Sequence, residues 1–163
     1  MSSDEGPTMQ PDSMPKHDEC TCLAVRQAAR HVTQFYDQFL APAGLRTTQF
    51  SILAKLKRIG PMTINALARD LVMDRTTLGR NILPLQRKGL IAVATGRADR
   101  RSKELHLTES GAARLREAAK GWAEAQARFA TAFGGERAAE LRTLLHAVAA
   151  SELGTAGDGT AAG

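Results

Sequence analysis

Residues 73–90 read MDRTTLGRNILPLQRKGL. They bring Arg75, Thr76, Thr77, Arg80, Asn81 and Arg87 into one short stretch. Further along, GRADRRS gathers Arg97, Arg100 and Arg101 around Asp99. Guanidinium, hydroxyl and amide groups of this kind bond to phosphate oxygens and base edges. They do not form a nucleophile, base and acid set. The sequence has no Gly-rich phosphate loop, no Gly-x-Ser-x-Gly and no His-Glu-x-x-His, so an enzyme is not expected.

Charge concentrates in the same region. From Arg46 to Glu104 there are 13 Lys and Arg against 4 Asp and Glu, a net of +9, while the rest of the chain nets −4. A basic segment between mildly acidic ones fits a polyanionic partner, although a solvated basic surface would carry the same charge. Geometry has to separate the two.

The elements that must hold these residues are legible in the periodicity. Residues 1–19 are proline-bearing and poor in large apolar side chains, and are expected to form a disordered tail. A helix is expected from Cys20 to about Ala41, with Leu23, Val25, Ala28, Ala29, Val32, Phe35, Tyr36, Phe39 and Leu40 on an apolar stripe. Pro42 and Gly44 end it. A second helix runs from about Thr47 to Arg58. Thr63 caps a short third helix, with Ile64, Leu67, Ala68 and Leu71 facing inward.

The 73–90 stretch follows almost at once. At about 100° per residue, Leu78, Ile82 and Leu85 share one face while Thr76, Arg80 and Arg87 take the opposite one. Asp74 suits the N-cap. Pro84 removes one helical bond, but downstream of the leading turns. Leu83 falls on the outer side.

After Gly89 the period becomes two. LIAVAT and KELHLT read as strands joined by the arginine-rich loop. Thr108 caps a long helix with Leu115, Ala118, Trp122, Ala125, Phe129 and Ala132 at spacings of three and four. A Gly134-Gly135 break precedes a last helix, with Leu141, Leu144, Leu145 and Val148 expected inside. Residues 154–163 are expected to be a flexible tail. The fold expected is mainly α with a small β-hairpin wing.

Two short helices on a tight turn make a helix-turn-helix, whose second helix can enter the major groove of double-stranded DNA. There Arg80 can fork onto guanine, and the threonines can meet bases through hydroxyl and methyl groups. An arginine-tipped hairpin beside it can reach a narrow minor groove, with Asp99 bracing a guanidinium. A plain helical hairpin with a soluble turn is the alternative.

The stretches LVMDRTTLGRNILPLQRKGLIAV, GRADRRSKELHLTESG and RTTQFSILAKL together resemble the MarR family of winged helix-turn-helix transcriptional regulators. The resemblance covers about residues 20–150, and the Asp-Arg-Arg wing followed by Leu-Thr-x-x-Gly is its most specific part. It implies a homodimeric repressor at a palindromic promoter site. It also implies an N-terminal dimerisation helix at 20–45, a DNA-binding domain at 46–107 and C-terminal dimerisation helices at 108–153. The apolar stripes are more than one small domain can bury alone, which agrees with a dimer.

Members of such a family release DNA on meeting a signal, and this chain offers two candidates. Phe35, Tyr36, Phe39, Phe50 and Trp122, with Arg26 and His31 as polar groups, would suit a small aromatic acid. They would equally serve as core. Cys20 and Cys22 lie at a helix start, where the dipole favours thiolate and hence an oxidant-sensing thiol. The spacing from Cys22 to Tyr36 resembles the organic-peroxide sensors of the family, although Arg26 stands where those have a second tyrosine. Cys22 as a small apolar core residue is the other reading. If both cysteines are helical they point about 200° apart and cannot bridge within one chain.

His17, Cys20, Cys22 and His31 do not match zinc spacing, so no metal or cofactor is expected. A thiol peroxidase would need a base or resolving partner that is not evident. A non-specific architectural DNA-binding protein remains as a further class. The absence of any apolar run of about 18 residues, and of an apolar leader, suggests a cytoplasmic protein with no membrane partner.

Overall fold

The computed structural model describes residues 16–153, so the tail expected at 154–163 and most of the one expected at 1–19 lie outside the described residues. The described residues form two compact units, 16–35 and 36–153. In the first, His17–Glu19 make a 3-10 turn within the stretch expected to be a tail, and helix α1, Thr21–Leu40, begins. Cys20 precedes α1 rather than belonging to it. Its sulfur accepts the Leu23 amide at 3.4 Å, so it acts as a cap. The 200° separation of the cysteines assumed that both were helical, and that premise fails.

The second unit takes up the end of α1. Asp37 receives both the amide and the hydroxyl of Thr47 at 2.7 Å, which fixes the start of helix α2, Thr47–Ile59. Helix α3, Ile64–Asp70, is capped by the Thr63 hydroxyl, which accepts from the Ala66 amide at 3.1 Å. Helix α4 spans Arg75–Arg87 and runs unbroken through Pro84. Strands β2, Ile91–Thr95, and β3, Lys103–Leu107, form the expected hairpin, with Ile91 opposite Leu107 and Thr95 opposite Lys103. Helix α5 spans Glu109–Phe133, and helix α6 spans Gly135–Ala150. Only Gly134 therefore lies in the break expected at Gly134-Gly135.

A two-residue strand β1, Met62–Thr63, was not expected. It pairs antiparallel with β3, giving the sheet order β1-β3-β2. Two residues cannot display an alternation, so only the partner strand reveals it.

The core of this unit gathers Leu40, Ile52, Leu53, Leu67, Leu78, Leu85, Ile91 and Leu105, all fully buried. Each such side chain contributes about 1.5–3 kcal/mol relative to exposure. The helix-turn-helix and the sheet thus share one apolar centre, which sets α4 and the hairpin against a common support. The last helix differs from expectation. Leu144 is 65% exposed in the single chain, and Leu145 and Val148 are exposed as well. Their spacing marks a face that needs cover, and this chain alone does not supply it. No helix among the described residues is long and apolar enough to cross a membrane.

Candidate nucleic-acid interface

Local chemistry shapes the leading end of α4. The Asp74 carboxylate accepts the Thr77 amide at 2.8 Å and the Thr77 hydroxyl at 2.6 Å. The hydrogen bond from that hydroxyl, followed by the one from the amide, holds the Asp74 carboxyl below its usual range. A depressed carboxyl contributes stability above its unfolded value and loses it as pH falls through the lowered one. Asp74 therefore stays ionised in mild acid.

The turn before this cap is tight. Met73 donates to the Ala68 carbonyl at 2.8 Å, and Val72 takes a left-handed φ of 51°. This is the geometry usually given to glycine at a helix C-terminus, and a β-branched residue holds it under strain. At the other end of α4, Gly89 fills the same role at φ 69°, with Leu90 donating to the Leu85 carbonyl at 2.9 Å.

Between these turns, Leu78, Ile82 and Leu85 are buried, as the spacing predicts. Arg75, Thr76, Gly79, Arg80 and Arg87 are exposed. Leu83 is 46% exposed and faces outward; Pro84 does not turn it in. The Asn81 side-chain amide donates back to the Thr77 carbonyl at 2.9 Å. Thr77 and Asn81 therefore spend donors on the helix itself, while Arg75, Thr76 and Arg80 project freely. A Cβ on Gly79 would meet nothing within 4 Å, so the protein itself does not require glycine at this outward position.

The wing loop is held by its own bonds. Gly96 donates to the Ser102 carbonyl at 2.9 Å, and the Ser102 hydroxyl donates to the Asp99 carbonyl at 2.7 Å. Asp99 departs from the expected role. Its carboxylate accepts the backbone amide of Arg101 at 2.9 Å and braces no guanidinium. This two-residue closure is an Asx-turn, which competes well for a short acidic side chain. Arg97, Arg100 and Arg101 are exposed. Among the described residues no acid pairs with them or with Arg75, Arg80 and Arg87. Two exposed groups of unpaired cations, one on a helix and one on a hairpin, thus stand on one core.

Thr108 caps α5 as its position predicts, and it also ties these parts together. Its hydroxyl donates to the Gly89 carbonyl at 2.7 Å and accepts the Gly111 amide at 3.0 Å, joining the turn after α4 to the start of α5.

The candidate effector residues are spread over both units. In the second, Phe50 and Trp122 stack with ring centroids 6.2 Å apart, and the Tyr36 hydroxyl donates to Gln126 at 2.8 Å. Burial raises the Tyr36 pKa, and the nearby Arg142 charge opposes this. Arg128 lies over the Phe39 ring at 5.4 Å. In the first unit Arg26 and His31 are exposed and Phe35 is half-buried. Cys20 and Cys22 are free thiols, both exposed, so Cys22 is not a core residue of the single chain. Among the described residues no three His, Cys, Asp or Glu side chains gather as metal ligands.

Comparison with known proteins agrees with this architecture. The profile of the MarR family matches residues 45–103. The crystal structure of the M. tuberculosis transcriptional regulator MosR superposes with a TM-score of 0.71 at 35% identity, covering 83% of this chain and 100% of that one. MosR in complex with DNA gives 0.68 at 38% identity, covering 80% and 96%. The HTH-type transcriptional regulator YwoH of Bacillus subtilis is 33% identical over 85 residues, 52% of this chain. This chain spans 61% of the length of YwoH, and the same share of SarZ from Staphylococcus haemolyticus. With the winged helix in place and a regulator matched along its whole length at this identity, the chain belongs to the MarR family.

Proposed function

We propose that the protein is a homodimeric, sequence-specific DNA-binding transcriptional regulator, a repressor that leaves a palindromic promoter site when a small aromatic ligand binds. One observation carries the DNA reading: α4 and the wing present Arg75, Arg80, Arg97, Arg100 and Arg101 exposed and unpaired with any acid among the described residues. Unpaired cations are what a phosphate backbone neutralises. MosR, 38% identical, has been solved with DNA. The α4 residues would enter the major groove and the wing arginines the minor groove. The exposed Leu144, Leu145 and Val148 of α6 support dimerisation, because a second copy can cover them. The Phe50–Trp122 stack and the Tyr36–Gln126 bond support an aromatic effector.

A second reading is favoured by the cysteines. Cys20 is exposed and accepts an amide at the start of α1, and Cys22 is exposed nearby. Free, solvent-exposed thiols are open to oxidation, so an oxidant would be the signal. One experiment tests both readings. Promoter and random duplexes are compared at matched salt, then the promoter complex is challenged with aromatic acids and with hydrogen peroxide. Promoter DNA should bind about a thousandfold tighter or more. Equal affinity for both duplexes would reject a regulator in favour of an architectural protein. Release by peroxide that disappears in Cys22→Ser would replace the aromatic ligand by the thiol.

A further inference from the structure

Glu104 and His106 lie two residues apart on β3, so both leave the same face of the sheet, opposite the buried Leu105. The Nε2 atom of His106 is shut off from water and has no hydrogen-bond partner. The Glu104 Oε2 atom is 3.6 Å from it, too far for a hydrogen bond. A buried ring nitrogen left unsatisfied is costly. A protonated imidazole donates from both nitrogens and would form a charge-assisted bond with that carboxylate.

Glu104 also reaches toward the wing. Its other oxygen would lie 3.3 Å from a Cβ placed on Gly96, the residue that opens the wing loop. In register it faces Ala94 on β2 and Thr63 on β1. One carboxylate therefore sits beneath the loop that carries Arg97, Arg100 and Arg101. Among the described residues that line a cleft with His106, Lys57 from α2 and Glu109 from α5 carry charge. That cleft has a volume of about 310 Å³. Their charges are opposite in sign. From the neighbouring strands, Ala92, Met62 and Thr63 bring no charge.

We propose that His106 and Glu104 form a proton-operated switch beneath the wing. One proton taken from solvent by His106 draws Glu104 into an ion pair and cancels the acid under the wing arginines, so DNA is held more tightly in mild acid. The inference rests on the wing being a DNA contact. The Asp74 cap, held below the usual carboxyl range, stays ionised in mild acid and does not take part.

Duplex affinity is measured at about pH 5.5 and about pH 8, on either side of the histidine range, at constant ionic strength. The wild type should bind roughly three- to tenfold tighter at the lower pH, the effect of one charge within about a Debye length of the phosphates. His106→Gln should lose most of that difference, any remainder belonging to the chain's other three histidines. Glu104→Ala should bind tightly at both. A pH dependence that is absent from the wild type, or undiminished in His106→Gln, overturns the switch. A second readout needs no DNA and no folded His106 variant. The His106 ring N–H, held by Glu104 and sheltered from water, should be visible by NMR in the acidic wild type and lost to exchange in Glu104→Ala. An equally visible signal in both overturns the pair. Failure to bind duplex at either pH would remove the nucleic-acid reading instead, while the NMR signal would still decide for or against the pair.

Discussion

Arg80→Ala is expected to weaken binding to the preferred duplex by about 1–3 kcal/mol, roughly 5- to 150-fold, and to relax selectivity at one base position. The residue stands on the exposed face of α4 opposite Leu78, Ile82 and Leu85, in the second turn from the Asp74 cap. No acid holds it in the free protein. The loss is therefore one of binding and not of folding, and the melting temperature should hardly move. Titration of the variant against the promoter duplex and a scrambled duplex, at one salt concentration, checks this. An equal loss on both would make Arg80 a phosphate contact only and contradict its role in reading bases.

Gly111→Ala is expected to destabilise the protein by about 1–3 kcal/mol, the usual range for overpacking a tight site. In an open helix the same change would stabilise by up to about 1 kcal/mol. Here the added Cβ would stand 2.1 Å from the Leu90 carbonyl oxygen and 2.7 Å from the Leu107 Cδ1. The oxygen belongs to backbone that cannot swing aside, and it already accepts the Thr108 amide at 3.2 Å. Relief requires the start of α5 to move off the junction of α4 with β2. That would disturb both DNA-facing elements, so duplex affinity should fall along with stability. Thermal unfolding should show a drop of about 2–4 °C for each kcal/mol lost, the scale for a chain of this size. Gly79→Ala serves as the control, because its Cβ would meet nothing within 4 Å. Equal melting temperatures for Gly111→Ala and the wild type would contradict the close packing.

What could be read from the sequence was what local chemistry decides. Asp74, Thr63 and Thr108 cap helices as their types and positions suggest, because a short oxygen-bearing side chain before a helix has free amides to meet. Leu78, Ile82 and Leu85 are buried because an amphipathic period has one apolar side. The hairpin was legible for the same reason, in a period of two. What could not be read depends on partners distant in sequence or on competition between local bonds. The strand β1 exists only because β3 lies beside it. Asp99 had guanidinium and backbone partners available, and the backbone amide two residues on is the one it bonds. The spacing of Leu144, Leu145 and Val148 indicated an apolar face without indicating what covers it. The Glu104–His106 pair looked like ordinary strand alternation, since exposure of a single nitrogen is not encoded in residue type.

The central claim is that two copies of this chain grip one duplex through α4 and the wing. Sedimentation of the purified protein with a palindromic promoter duplex in dilute buffer tests it most directly. The account predicts a dimer in the absence of DNA and two chains on each duplex in its presence. A chain that sediments as a monomer and leaves the duplex unbound would contradict it.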